Sequence, residues 1–131
     1  SQALKNYPGT KIGLDCAASQ FYRDGKYLLE NAVFTKEGLL LFYDDLVKKY
    51  PIIFLEDPFS EEDWQGFQKI TKNLGKKINI IGDDLLTTNP ERIEKAKKEK
   101  ACSGAIIKLN QIGTVTETLD AVKLAKSFGP K

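Results

Sequence analysis

Residues 51–93 read PIIFLEDPFSEEDWQGFQKITKNLGKKINIIGDDLLTTNPERI, and they decide the fold. Ile52 to Glu56 is a continuous run of apolar, β-favouring residues closed by a carboxylate. Such a run suits a strand covered on both faces. Pro58 breaks it. Ser60 and Asp63 resemble a capping box, in which each side chain answers a free backbone N–H. The helix they open carries Trp64, Phe67 and Ile70 on one side and ends at Gly75. Ile78 to Gly82 is the next strand and runs into Asp83-Asp84. Asn89-Pro90 then places an N-cap before a proline at the first helical position. Strand, helix, strand, helix within one short stretch is the grammar of parallel α/β folds.

The same grammar extends both ways. Upstream, Lys11 to Asp15 is a short strand. A loop follows from Cys16 to Thr35, with a turn at Asp24-Gly25. Thr35 to Tyr50 is a helix whose apolar face is Leu39, Phe42, Leu46 and Val47, stopped by Pro51. Downstream, the helix after Asn89 carries Ile93 and Ala96, with Lys95, Lys97, Lys98 and Lys100 as a solvated face. Ala105 to Leu109 is a fourth strand. Thr114 and Glu117 form a second capping box, Val115 to Phe128 is the last helix, and Gly129-Pro130 is its stop signal. Four βα units in a row give an α/β fold, with no internal sequence repeat, low-complexity segment or linker.

Composition narrows the chemistry. The chain has 131 residues, 41% of them apolar, which is enough for one core. A net charge of +2 gives no reason for a nucleic-acid partner. No run has the length of a membrane span, and no secretory signal opens the chain, so it reads as soluble and intracellular. Histidine is absent, which removes Ser-His-Asp, Cys-His and His-zinc chemistry from this stretch. Cys16 and Cys102 form no CxxC motif and read as buried, reduced thiols.

Polar residues fall where strands end. Asp15 closes the first strand and Glu56 the second; Asp83 follows the third, and Lys108 lies near the end of the fourth. In parallel α/β folds those ends face one crevice. One carboxylate there is often only a cap for the next helix. Three together repel one another and raise each other's pKa values unless a cation joins them. Oxygen-only ligands favour magnesium, calcium or manganese. A cation beside Lys108 would favour its neutral form and fit it for general-base work. Asp57 and Asp84 adjoin the candidates. Alternation lets only one of each pair face the crevice, and periodicity leaves open which. The aromatics Phe21, Tyr22 and Tyr27 either pack over the site or staple the loop.

Four runs carry a resemblance: GLDCAASQFY (13–22), PIIFLEDPFSEEDW (51–64), IIGDDLLTTNPERI (80–93) and IIKLNQIGTVTET (106–118). In order and spacing they closely resemble the enolase family from Lys11 onward. LEDPF and K-x-NQIGT are long and specific. The resemblance implies a small N-terminal capping domain and a modified TIM-type barrel, of which 1–131 would be the central part. A barrel takes about 250 residues, so four βα units make about half of one.

The resemblance further implies Asp15, Glu56 and Asp83 as magnesium ligands. Lys108 would be the base that takes the C2 proton of 2-phosphoglycerate on the way to phosphoenolpyruvate. It also implies a cytoplasmic, glycolytic hydro-lyase that forms homodimers or higher homo-oligomers. Two departures stand out. Gln20 replaces a customary Glu, and the 23–34 loop is shorter than in many relatives. The family's SHRSGE stretch, with a metal-binding serine and a phosphate-binding arginine, lies outside the chain. So do a later active-site lysine and the acidic groups that assist the leaving hydroxyl. The expectation is a fragment that is inactive alone and self-associates through uncovered sheet edges.

Rival readings are a phospho-receiver fold, whose acidic pair follows the first strand rather than the third, and another lyase or racemase of the same superfamily. A further alternative is a non-catalytic, surface-exposed relative that binds plasminogen through FYRDGKY (21–27).

Overall fold

The computed structural model describes residues 7–128; Gly129-Pro130 lies outside them. The elements in chain order are β1 (Ile12–Asp15), β2 (Tyr22–Arg23), β3 (Lys26–Leu29), β4 (Ala32–Phe34), α1 (Lys36–Lys49) and β5 (Ile52–Glu56). They continue with α2 (Trp64–Leu74), β6 (Asn79–Gly82), α3 (Pro90–Glu99), β7 (Gly104–Ala105), α4 (Leu109–Ile112) and α5 (Val115–Ala125). Short 3-10 turns cover Ala18–Phe21 and Lys126–Phe128.

β1, β5, β6 and β7 form a parallel sheet in that order. The order never reverses, so no topological switch point arises, and the winding is that of part of a barrel. A receiver-type sheet, wound in both directions from its first strand, is thereby excluded. Right-handed crossovers in this order place the helices on one face. The core lies there. Leu39, Leu55, Phe67, Ile70, Ile80 and Ile93 are fully buried. Phe59, just past β5, is a hub whose ring meets Tyr27 (5.6 Å), Tyr43 (6.1 Å) and Phe67 (6.4 Å) edge-on. Ile53 remains exposed, and on the face away from the helices Phe54 lays its ring over Gly13. A Cβ on Gly13 would come within 2.1 Å of that ring.

Local signals explain most boundaries. The side chains of Thr35, Asn89 and Thr114 cap α1, α3 and α5, the last two as their sequences predict. Three expectations change. The 16–35 loop holds a three-stranded antiparallel sheet, β2-β3-β4. Its first turn uses positive φ at both Asp24 (49°) and Gly25 (79°), the geometry that matches strand twist in a tight hairpin. Ser60 is no cap; Asp63 alone accepts from Gly66 N–H (3.0 Å), while the Ser60 N–H donates to Tyr27 Oη (3.0 Å). The fourth strand is only Gly104–Ala105, and Lys108 stands at the head of the α4 turn. The chain leaves the sheet there because Thr88 Oγ1, not a neighbouring strand, receives the Lys108 N–H (2.8 Å).

Candidate metal and proton-transfer site

β1 and β5 are in register so that Asp15 pairs with Glu56, and β5 pairs Glu56 with Ile81 of β6. Residues paired this way point to the same face of a sheet. Asp83 follows β6 by one residue and is buried. The C-terminal ends of three adjacent strands thus bring carboxylates to one edge.

The two acidic pairs resolve differently. Asp57 adopts a left-handed backbone (φ 41°), which turns its side chain into the body of the protein. Its Oδ1 accepts from Asp83 N–H (3.0 Å) and its Oδ2 from Asp84 N–H (2.8 Å). It is the fastening of the β6–α3 turn. Burial pushes its carboxyl up, and those backbone donors pull it back. In the second pair Asp83 is the buried member and Asp84 the exposed one.

Carboxylate oxygens of Glu56, Asp57 and Asp83 lie within 4.8 Å of one another. That group contains Asp57 where the sequence expectation has Asp15. Asp15 stays exposed and accepts from Ala17 N–H (3.1 Å) through Oδ1. Its charge still reaches Glu56. Burial, then Asp15, Asp83 and Asp57 in that order, hold the Glu56 carboxyl above its ordinary range, while Lys108 opposes them. The mutual raising expected of converging carboxylates is therefore present at Glu56.

Lys108 joins the group. Its Nζ donates to Asp83 Oδ2, and that bond holds the ammonium above its ordinary range. The direction is opposite to the one expected beside a cation, because the nearest partner is a carboxylate. Two residues that sequence reasoning passed over complete the site. Gln111 Nε2 donates to Asp83 Oδ1 (2.6 Å), and Gln111 Oε1 accepts from Thr88 Oγ1 (2.6 Å). Thr88 is fully buried, with φ 55°, next to Thr87 at 48°. Adjacent β-branched residues in the left-handed region are a strain signature, which sequence alone does not display.

The remaining candidates are structural. Tyr27 is buried and its hydroxyl donates to Asp63 Oδ2 (3.0 Å), so the aromatics staple the β2–β4 sheet to the parallel sheet. Of FYRDGKY, only Arg23, Asp24, Gly25 and Lys26 are exposed. Lys95 Nζ sits 3.8 Å from the Trp64 ring centroid, so part of the lysine-rich face of α3 is a packing device. Cys16 and Cys102 are free, and burial pushes both thiols up to about 12. A hollow of about 610 Å³ along α3 is lined by Glu91, Glu94, Lys95, Lys97, Lys98 and Leu124, away from the carboxylates. Among the described residues no helix is long and apolar enough to cross a membrane.

Comparison with known proteins identifies the family. A family model, the enolase C-terminal TIM barrel domain, matches residues 4–130. "Enolase 2" of Methanospirillum hungatei is 52% identical over 126 residues, covering 93% of this chain and 30% of that protein. "Enolase" of Elusimicrobium minutum is 50% identical over 119 residues, covering 91% and 28%. "Enolase" of Acidothermus cellulolyticus is 49% identical over 118 residues, covering 90% and 28%. The chain thus spans less than a third of the length of these relatives. Sequential parallel winding, carboxylates at the strand ends and this similarity lead to one conclusion: the chain belongs to the enolase family, within its C-terminal TIM barrel domain.

Proposed function

We propose that this chain supplies metal ligands and the proton-abstracting base for the dehydration of 2-phosphoglycerate to phosphoenolpyruvate. The observation that carries the reading is the convergence of Glu56, Asp83 and Lys108 at one sheet edge, with Asp15 in register beside Glu56. The donor set suits Mg²⁺. All the oxygens are hard, they crowd enough to raise Glu56, and a cationic ammonium already rests on Asp83. Asp15, Glu56 and Asp83 would hold the ion. Asp57 stays with the fold, since each of its oxygens accepts a backbone N–H. When bound, the ion offsets the carboxylate repulsion and stabilises negative charge growing on the substrate carboxylate.

Lys108 would take the C2 proton onto Nζ, which requires the neutral amine. Its ion pair with Asp83 favours the ammonium, so Asp83 must give its charge to another partner first. The Lys108 backbone is held in place by Thr88 while the side chain, half exposed, can reach a substrate. Departure of the C3 hydroxyl needs a proton donor, and the residues gathered here are carboxylates and a base. We therefore assign that step, and phosphate binding, to parts of the relatives that this chain does not span.

The test is Mg²⁺-dependent formation of phosphoenolpyruvate, first by the chain alone and then with the rest of the barrel and capping domain supplied from a relative. We expect silence alone and turnover together. Lys108→Ala should then reduce turnover by about 10²–10⁴-fold, the usual worth of a general base. Turnover unchanged by that substitution would refute the role given to Lys108.

A further inference from the structure

Four groups close a ring at the end of β6. Lys108 N–H donates to Thr88 Oγ1 (2.8 Å), and the Thr88 hydroxyl donates to Gln111 Oε1 (2.6 Å). Gln111 Nε2 donates to Asp83 Oδ1 (2.6 Å), and Lys108 Nζ returns to Asp83 Oδ2. The directions in this ring follow from Asp83, whose carboxylate accepts from both Lys108 Nζ and Gln111 Nε2. That turns the carbonyl end of the Gln111 amide to Thr88, where it takes the hydroxyl hydrogen. The Lys108 N–H can only donate, and it uses a lone pair of Thr88 Oγ1. A reversed amide would set its C=O against the carboxylate.

The scaffold beneath the ring is stiff. Thr88 is fully buried in a left-handed conformation, and Asn89, next in the chain, caps α3. Gln111 sits three residues after Lys108 on the α4 turn, where Gln111 N–H donates to Lys108 O (3.0 Å). That turn returns its side chain over the strand end. The proton transfer proposed above uses Thr88 only to hold the Lys108 backbone, and it does not use Gln111.

We propose that Gln111, oriented by Thr88, is the positioning residue of the metal site. It holds Asp83 Oδ1 on an amide hydrogen, so that Oδ2 is the oxygen presented to a divalent cation. The inference rests on the metal reading given above. Its physical basis is that a ligand's outer partners fix its orientation before the ion arrives. The bland alternative is that the ring merely ties the β6–α3 loop to α4. That alternative predicts lost stability with unchanged metal affinity in every molecule that remains folded.

The experiment uses the full chain and Mn²⁺ as the probe ion. Affinity is read by electron paramagnetic resonance, and the Gln111 amide by ¹⁵N NMR. Wild type, Gln111→Ala, Thr88→Val and Thr88→Ser are compared at temperatures where circular dichroism shows each folded. Wild type and Thr88→Ser should show slowly exchanging, downfield Gln111 amide protons; Thr88→Val should lose them. Mn²⁺ affinity should fall about 10–100-fold in Gln111→Ala and Thr88→Val, and return in Thr88→Ser. If Thr88→Val does not fold, Gln111→Ala decides alone. Folded variants with wild-type affinity overturn the positioning role. A freely exchanging Gln111 amide in the wild type overturns the ring itself. Absence of saturable Mn²⁺ uptake by the wild type is a different result: it sinks the metal reading, and this inference with it.

Discussion

Glu56-Asp57 and Asp83-Asp84 stand side by side at the ends of β5 and β6, yet the chain uses them in opposite ways. In the first pair the leading residue faces the crevice and the second turns inward to fasten a neighbouring turn. In the second the leading residue is buried in a side-chain network and the second is exposed. Burial does not separate structural from functional carboxylates here, since Asp57 and Asp83 are both buried. The partners do. Asp57 is held by backbone N–H groups, which cannot leave without undoing the turn. Asp83 is held by the ends of Lys108 and Gln111, and the lysine on Oδ2 can exchange for a ligand.

Exchanging each buried carboxylate for its amide tests this directly. Asp83→Asn should weaken Mn²⁺ binding by more than about 100-fold, beyond the cost of changing an outer partner. Its thermal midpoint should stay near wild type. Asp57→Asn should do the reverse. Its amide must turn an N–H toward a backbone N–H, at a cost of about 1–3 kcal/mol of stability in denaturant melts. Its metal affinity per folded molecule should be kept. Equal effects of the two changes on binding would dissolve the distinction.

A smaller effect concerns pH. The Glu56 carboxyl is held above its ordinary value of 4.5, so the folded chain keeps that proton more tightly than the unfolded chain does. Metal-free stability should therefore fall as pH rises through the Glu56 titration; Asp57, raised as well, acts in the same sense. Thermal melts from about pH 4 to pH 7 should show this decline. Mg²⁺ should flatten it, and Glu56→Gln should reduce it. A pH dependence that is the same in the metal-free wild type and in Glu56→Gln would contradict the crowding of the carboxylates.

A last contrast sets these acids against the two thiols. Both cysteines are pushed up to about 12 from an ordinary 9.0. Alkylation of the native chain at about pH 8 should run roughly a thousandfold slower than in denaturant, from the thiolate fraction alone. Rapid labelling of Cys102 in the native state would show that this part of the core opens.

The parallel sheet was legible because IIFLE and INIIG, the second interrupted by Asn79, are short apolar runs between capped helices. Asn89 and Thr114 announced their helices through local chemistry. The β2–β4 sheet was not legible, since its strands have only two, four and three residues. What anchors it is Tyr27 bonded to Asp63, 36 residues away. Asp-Gly at 24–25 was the one local clue. Likewise the strand-end positions of Asp15, Glu56 and Asp83 could be read from spacing, whereas Lys108 stands past the short β7, at the head of α4. The hidden partners could not. Thr88 and Gln111 act only through bonds spanning 20 to 28 residues, and alternation could not foretell that Asp57 would accept the Asp83 and Asp84 N–H groups.

The ring of Phe54 over Gly13 carries a consequence for how sequences in this family can vary. The two positions share one volume on the uncovered face of the sheet, and Gly13 owes its identity to the size of residue 54. A methyl group at 13 has room only if the ring at 54 shrinks or swings away. Across relatives, bulk at one position should therefore be traded against bulk at the other. A substitution that looks intolerable at either site alone should become neutral when both change together.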